Sequence, residues 1–194
     1  MTPVLTWRLV ERYRRQKLAR YHIRSQRQAL GFVEALGFCY AFTSGPGYLP
    51  GLFDVLATRS VDRMWSWAWR WKDELAAQRR LFYGKVLRRK PTYVAMDYLP
   101  HFFALSGNVG ERDDLHQVVR AAGRINTTAA AVIMLDRYLQ TVGAVRPSTV
   151  RDLFDWPART LEEAHRSLRD RIVQREVERT PVWAHVTFER WRDR

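Results

Sequence analysis

A single cysteine, Cys39, stands among 194 residues, which excludes an intramolecular disulfide and any zinc site built on paired thiolates. Lysine is also scarce, with only four among the 33 basic residues. Arginine supplies the rest; it is the better residue for forked contacts to phosphate and for stacking on bases, although a GC-rich coding sequence produces the same bias without any function. No apolar run reaches the roughly 18 uncharged residues a membrane-spanning helix needs. The longest, residues 29–42, is interrupted by Glu34, so the expectation is a soluble, cytoplasmic protein with no membrane partner. Histidines 22, 101, 116, 165 and 185 are dispersed and give no ligand pair at helical spacing. Glycine-rich phosphate loops and a nucleophile elbow are both missing. Neither a metal nor a cofactor is expected.

Acidic residues are few, and what is present follows from that. Twenty Asp and Glu oppose 33 Lys and Arg, for a net charge of +13 and a pI near 10.6, a surplus that suits nucleic acid or an anionic surface. Apolar residues make up 46%, enough for one compact domain or two small ones sharing a core. Nearly half the surplus sits in residues 1–36, where eight basic side chains face Glu11 and Glu34. Leu5, Leu9, Tyr13, Leu18 and Tyr21 recur at helical spacing, predicting a basic helix over 3–27 that offers Arg12, Arg15 and Arg20 to a phosphate backbone. The plainer alternative is a solvated face. A second helix is expected over 25–38, closed by Gly37. A breaker-rich loop over 43–51 and a short helix over 52–57 follow.

Residues 64–105 carry the densest chemistry. Trp65, Trp67, Trp69 and Trp71 alternate, which places all four on one face of an extended segment and predicts a strand or arm leading into a helix near Asp73. Lys72, Lys85, Arg88, Arg89 and Lys90 then interleave with Phe82, Tyr83 and Tyr93. Cations beside aromatic faces suit nucleic acid, the charge for phosphates and the rings for bases. Trp69, Trp71 and Tyr83 are the candidate stacking residues; the competing reading makes these aromatics core and the cations a solvated face. Beyond a linker at 106–114 and a short helix at 115–122, a helix capped by Thr127 or Thr128 should run to Val142, with Gly143 ending it. Ser148 should cap a second helix over 149–154, and the turn at 155–157 should lead to a third over 159–171. That third helix buries Leu161, Ala164, Leu168 and Ile172 and presents Arg159, Arg166 and Arg169, as a groove-reading helix would, with Glu162 and Glu163 opposing backbone contact. Alternation over 172–187 predicts a wing hairpin. A packing or dimerisation role for this unit is the alternative, since fold alone does not establish function.

Several of these runs resemble a known family. Trp71-Lys72-Asp73-Glu74-Leu75, Phe82-Tyr83-Gly84-Lys85, Lys90-Pro91-Thr92, Leu99-Pro100 and Phe103-Ala104-Leu105-Ser106-Gly107-Asn108 are similar to the short AlkZ-related proteins, with similarity running from about residue 31 to residue 191. Those proteins are relatives of the bacterial crosslink-repair DNA glycosylases, built from winged helix-turn-helix units. The resemblance implies a mainly α fold with small β wings. Its expected division is a basic helical extension at 1–28, an aromatic-rich domain at 29–110 and a winged helix-turn-helix domain at 111–194. It also implies duplex DNA as partner. In the full-length glycosylases a Gln-x-Gln or Gln-x-Asp pair orients the attacking water; after the matching Leu36-Gly37-Phe38 this chain has Cys39 and Ala41, which cannot orient water. Asp73 and Asp54 are the substitute candidates, ahead of Glu74 and Asp97. The expected function is therefore DNA binding without the family's usual catalytic pair. The alternatives are an N-glycosylase for damaged or crosslinked bases and a non-catalytic protein-interaction module.

Overall fold

The basic N-terminal helix is shorter than its periodicity suggests, ending at Ala19 rather than near residue 27, and the second helix stands where expected. In the computed structural model, which describes residues 5–106 and 116–193, α1 (Trp7–Ala19) begins at the Thr6 cap and α2 (Gln26–Leu36) at the Ser25 cap, whose hydroxyl accepts from the Gln28 amide. Between them Ile23 is drawn into a parallel bridge with Leu56, so backbone pairing interrupts what side-chain spacing alone would continue. Gly37, at φ 79°, ends α2 as expected. β1 (Phe38–Tyr40) follows at once, and single turns of 3₁₀ helix at Pro46–Tyr48 and Leu52–Val55 occupy the loop and the predicted short helix.

The alternate tryptophans lie on a helix, which corrects the strand reading. α3 (Val61–Ala77) starts at Ser60, whose side chain accepts from the Arg63 amide, and carries Asp62 in its first turn. Spacing of two is ambiguous because it also contains two pairs at spacing four. One pair, Trp67 and Trp71, stacks at 5.3 Å on the buried side; the other, Trp65 and Trp69, stacks at 6.3 Å on the outside. Ala68, Trp71 and Leu75 form the buried stripe, at spacings of three and four. An antiparallel hairpin, β2 (Leu81–Leu87) and β3 (Lys90–Ala95), then completes a sheet in the order β1-β3-β2, with Cys39 opposite Tyr93. This hairpin is invisible to turn chemistry, since its two-residue turn is Arg88-Arg89 and lacks the usual Asn or Gly.

The C-terminal half follows the expected element order with shifted ends. α4 (Leu99–Ser106) precedes the proposed linker, most of which lies outside the described residues. Then come α5 (His116–Ala122), α6 (Thr127–Val142), β4 (Ala144–Val145), α7 (Pro147–Phe154), α8 (Ala158–Ser167), β5 (Ile172–Val177), β6 (Thr180–His185) and α9 (Val186–Arg192). Asn126, rather than a threonine, caps α6, its carbonyl accepting from Thr128 and Ala129. Arg146 stands at the cap of α7, with Pro147 in the first turn where its missing N–H costs nothing. The third helix is shorter than periodicity suggests and ends at Ser167. Alternation past His185 is not strand: the His185 ring accepts from the Thr187 amide and starts α9. β4, β6 and β5 form a second antiparallel sheet in that order. Among the described residues no helix is long and apolar enough to cross a membrane.

One core runs through both halves. Phe38 and Tyr40 from β1, Leu99, Phe102 and Phe103 from α4, and Met134, Leu135 and Tyr138 from α6 pack with Val150, Leu153 and Phe154 from α7 and Leu161 and Ala164 from α8. A second cluster lies across the first sheet, between α2, α3 and the opposite face of β1 and β3. A third joins α1 to the second sheet: Val10 and Tyr13 pack on Ala144, Val182, Ala184 and Phe188. Gly143 makes this approach possible. Its φ is 81° and an added Cβ would lie 2.7 Å from the Tyr13 ring.

Candidate nucleic-acid interface

The N-terminal helix divides its cations between two jobs. Tyr13 is buried and donates to the Gln140 carbonyl at 2.8 Å. Arg14 turns inward beside it: Nε donates to the Val142 carbonyl at 2.9 Å and Nη2 to the Ala144 carbonyl at 2.7 Å, and the guanidinium covers the Tyr48 ring at 3.8 Å. The first of these bonds satisfies a carbonyl that the end of α6 would leave open, and the second ties the side chain to β4. Burial lowers the Arg14 pKa. Arg8, Arg12 and Arg15 fall at spacings of four and three and are exposed, so they form a line along the outer face. Arg20, at the end of the helix, is also exposed and lies over the Tyr21 ring at 4.9 Å.

Of the proposed stacking residues, only Trp69 is widely exposed, and its ring already carries Lys72 and stacks on Trp65. Trp71 is only 3% exposed and is a core residue, which corrects its assignment as a stacking surface. Trp69 is 48% exposed and Trp65 40%. Trp65 also rests on Phe42 and Phe53 at 4.7 and 5.4 Å. Lys72 is drawn toward this group, with Nζ 3.9 Å from the Trp69 centroid, 5.2 Å from that of Tyr83 and 3.0 Å from Asp73. Tyr83 is half-buried against Tyr93 at 5.2 Å, and burial, then the charge of Asp73, raises its pKa. Lys72 is thus held by a ring and a carboxylate, and it is the least free of the predicted cations in this region.

The β2–β3 hairpin holds the freest ones. Lys85, Arg88, Arg89 and Lys90 are all exposed, and among the described residues no carboxylate pairs with any of them. Arg88 and Arg89 occupy the turn at φ 49° and 55°, a backbone region that favours Gly or Asn and costs an arginine of order 1 kcal/mol. The second hairpin repeats the pattern at Glu178 and Arg179, φ 49° and 65°. Under the first hairpin opens a cleft of about 620 Å³, bounded by Lys85, Arg88 and Arg89 on one side and by Phe102, Asp155 and Trp156 on the other. Trp156 stacks on Phe154 at 4.2 Å. Arg88 also stands near Tyr40, whose hydroxyl donates to the Pro46 carbonyl at 3.1 Å; burial pushes that phenol up to about 12 despite the arginine's opposing charge.

On α8, Arg159 is exposed but tied to Glu163 at 2.8 Å, and Glu163 also accepts from Thr128 Oγ1 at 2.8 Å. Those contacts lower the Glu163 pKa, Arg159 first. Arg166 is exposed at the helix end, and Arg169 is exposed in the turn beyond it. Sequence reasoning missed Arg14 and the Trp156 cleft. Neither carries a local signal, because both depend on residues more than sixty positions away in the chain meeting across α6 or the first sheet.

The catalytic candidates are accounted for by ordinary contacts. Asp54 accepts from the Ser44 hydroxyl and from the Gly51 amide at 2.8 Å, closing the loop over which an added Cβ at Gly51 would strike the Phe42 carbonyl. Asp73 is exposed on α3 and paired with Lys72. Cys39 and Ala41, which stand where the resemblance places the water-orienting pair, are wholly buried against Leu52, Val55 and Tyr93. Burial, then the charge of Asp54, raises the Cys39 thiol pKa far beyond its usual range, so it is an inert core residue. Among the described residues no group of three or more His, Cys, Asp or Glu side chains is placed to hold a metal ion.

Comparison with known proteins agrees with the motifs quoted above. The family described as AlkZ related matches residues 23–136, more than half of the chain. The match begins in the bridge before α2 and stops within α6, so it leaves out α1, the end of α6 and everything after it, including residues 137–191 where similarity was also expected. No curated protein and no solved structure matches the chain.

Proposed function

Because the chain belongs to the AlkZ-related family, and so is related to DNA-repair glycosylases, we propose that it is a duplex-DNA-binding protein that does not cleave glycosidic bonds. The observation that carries this reading is the unpaired cationic hairpin: two arginines held in a costly turn conformation, flanked by Lys85 and Lys90, with no carboxylate among the described residues to occupy them. Free cations of this kind recover the cost of their placement only when an anion arrives. Buried apolar surroundings at Cys39 and Ala41 favour the non-catalytic form, since a water held for attack needs polar partners.

The C-terminal part reads as a winged helix-turn-helix unit in this account: α6, α7 and α8 supply the three helices, β4, β6 and β5 the sheet, and the β5–β6 hairpin the wing. Residues 1–28, 29–110 and 111–194 are then an extension, an aromatic-rich domain and that winged unit. The extension differs from a free arm in that Tyr13 and Arg14 anchor it to the winged unit. Arg12, Arg15 and Arg20 on its outer face, Arg166 and Arg169 beside α8, and the hairpin cations contact phosphates; Arg159 contributes less, being neutralised by Glu163. Trp69 offers the one widely exposed stacking face among the proposed three.

Fluorescence anisotropy with a labelled duplex, followed by alkaline cleavage of the same samples, tests the reading. Binding without strand cleavage on alkylated or crosslinked duplex supports it. Cleavage at the lesion would instead establish the glycosylase, and loss of that cleavage in Asp73→Asn would identify its water-activating group. A purified chain that binds no duplex at low salt would favour the protein-interaction module.

A further inference from the structure

The cleft beneath the β2–β3 hairpin is assigned by none of the readings above, which use its cations but not its opposite wall. It measures about 620 Å³, within the range of sites that enclose small ligands, roughly 300–1,000 Å³. Its two sides differ in chemistry. Lys85, Arg88 and Arg89 supply three positive charges on one side, and Phe102, Phe154 and Trp156, each 7–8% exposed, supply a narrow strip of aromatic edge on the other. A phosphate alone would leave the aromatic wall uncovered, and an apolar ligand would leave the cations uncompensated. A ligand with a flat ring and an anionic group, separated by a few bonds, meets both. Asp155, next to Trp156 on the aromatic side, is the C-cap of α7 in the left-handed region, φ 54° and ψ 35°, and its side chain is exposed. A carboxylate there accepts hydrogen bonds from an exocyclic amine and repels a phosphate, which orients the anionic end toward the hairpin.

We infer that this cleft binds a nucleoside monophosphate unit, its base against Trp156 and its phosphate between Arg88 and Arg89. The choice of a nucleotide over other aromatic anions rests on the DNA-binding reading. Bases that carry an exocyclic amine are preferred over thymine, whose single N3–H donor is flanked by two carbonyl oxygens that repel the Asp155 carboxylate. The unit comes either from a free nucleotide or from the phosphorylated end of a strand, and both present the same chemistry to the cleft.

The turn itself supplies a clean variant. Replacing Arg88 by Asn and Arg89 by Gly removes two cations while installing the residues that a left-handed two-residue turn prefers, so the fold is kept and thermal stability is unchanged or raised. Isothermal titration of the whole chain with dAMP, dTMP, inorganic phosphate and deoxyadenosine should show dAMP binding more tightly than each of the other three. The double variant should weaken dAMP by about tenfold or more, as expected when a charge-assisted, forked contact is lost. A 5′-phosphorylated single strand that competes with dAMP, where its unphosphorylated twin does not, identifies the strand end as a source; a strand that fails to compete assigns the site to the free nucleotide. Binding of dAMP no tighter than phosphate, or unaltered in the double variant, overturns the assignment. Salt-sensitive duplex binding without any dAMP binding sinks this inference alone, whereas dAMP binding without duplex affinity sinks the DNA-binding reading and leaves the cleft standing.

Discussion

Arg14 and its neighbours on α1 separate structural from recognition charge at the residue scale. Its guanidinium bonds the carbonyls of Val142 at the end of α6 and Ala144 in β4, so Arg14→Met should destabilise the fold by about 1.5–3 kcal/mol, the range for charged hydrogen bonds lost with buried acceptors. In the same thermal-melt series Arg12→Met should move the midpoint little, because Arg12 is exposed. His165 makes a second residue-scale prediction. Its ring lies flat on Trp183 at 4.1 Å, its Nε2 is buried with no partner among the described residues, and burial lowers its pKa. A histidine whose folded pKa is depressed favours the native state fully above its unfolded value, about 6.5. As pH falls below that value the unfolded chain takes up a proton that the folded chain refuses, so stability declines through the folded pKa. His101, also depressed by burial, adds to the same window. Melting temperatures measured from pH 7.5 to 5 should fall for the wild type and fall less for His165→Gln; identical pH profiles would remove His165 from the account.

Helices and hairpins show what sequence pattern can and cannot reach. α2, α6 and α7 were legible from apolar spacing, with Gly37 and Gly143 at the ends of α2 and α6, although the cap positions of α6 and α7 are Asn126 and Arg146, ahead of the caps expected from sequence. α3 was misread because Trp65, Trp67, Trp69 and Trp71 satisfy period two and, as two pairs, spacing four; only burial distinguishes the Trp67–Trp71 side from the Trp65–Trp69 side. The first hairpin was missed since Arg88 and Arg89 hide a turn that Asn-Gly would have announced. The cations of the proposed interface were readable from the sequence, whereas their lack of a carboxylate among the described residues was not, nor was the cleft, because Trp156 and Arg88 meet only through the shared core. Gly143→Ala tests the packing of α1 at this scale. With φ at 81° and the Tyr13 ring 2.7 Å from the new Cβ, it should cost about 1–3 kcal/mol and loosen α1, detected as faster amide exchange at Val10 and Tyr13.

For the whole molecule, the family match over residues 23–136 covers the first sheet and α2 to α6, while the core that includes them extends through α7 and α8. The two proposed domains therefore share one interior rather than meeting across a surface. Their cations are spread over α1, the first hairpin and the end of α8, and a net charge of +13 gives the chain a long-range attraction for polyanions that salt must weaken. The most direct measurement is the slope of log affinity against log salt concentration for a labelled duplex, compared between wild type and the variant carrying Arg88→Asn and Arg89→Gly. Each phosphate contact contributes about −0.9 to that slope; the account predicts a steep wild-type slope and one shallower by about one to two in the variant. A slope near zero, or one unchanged when both hairpin arginines are removed, would contradict it.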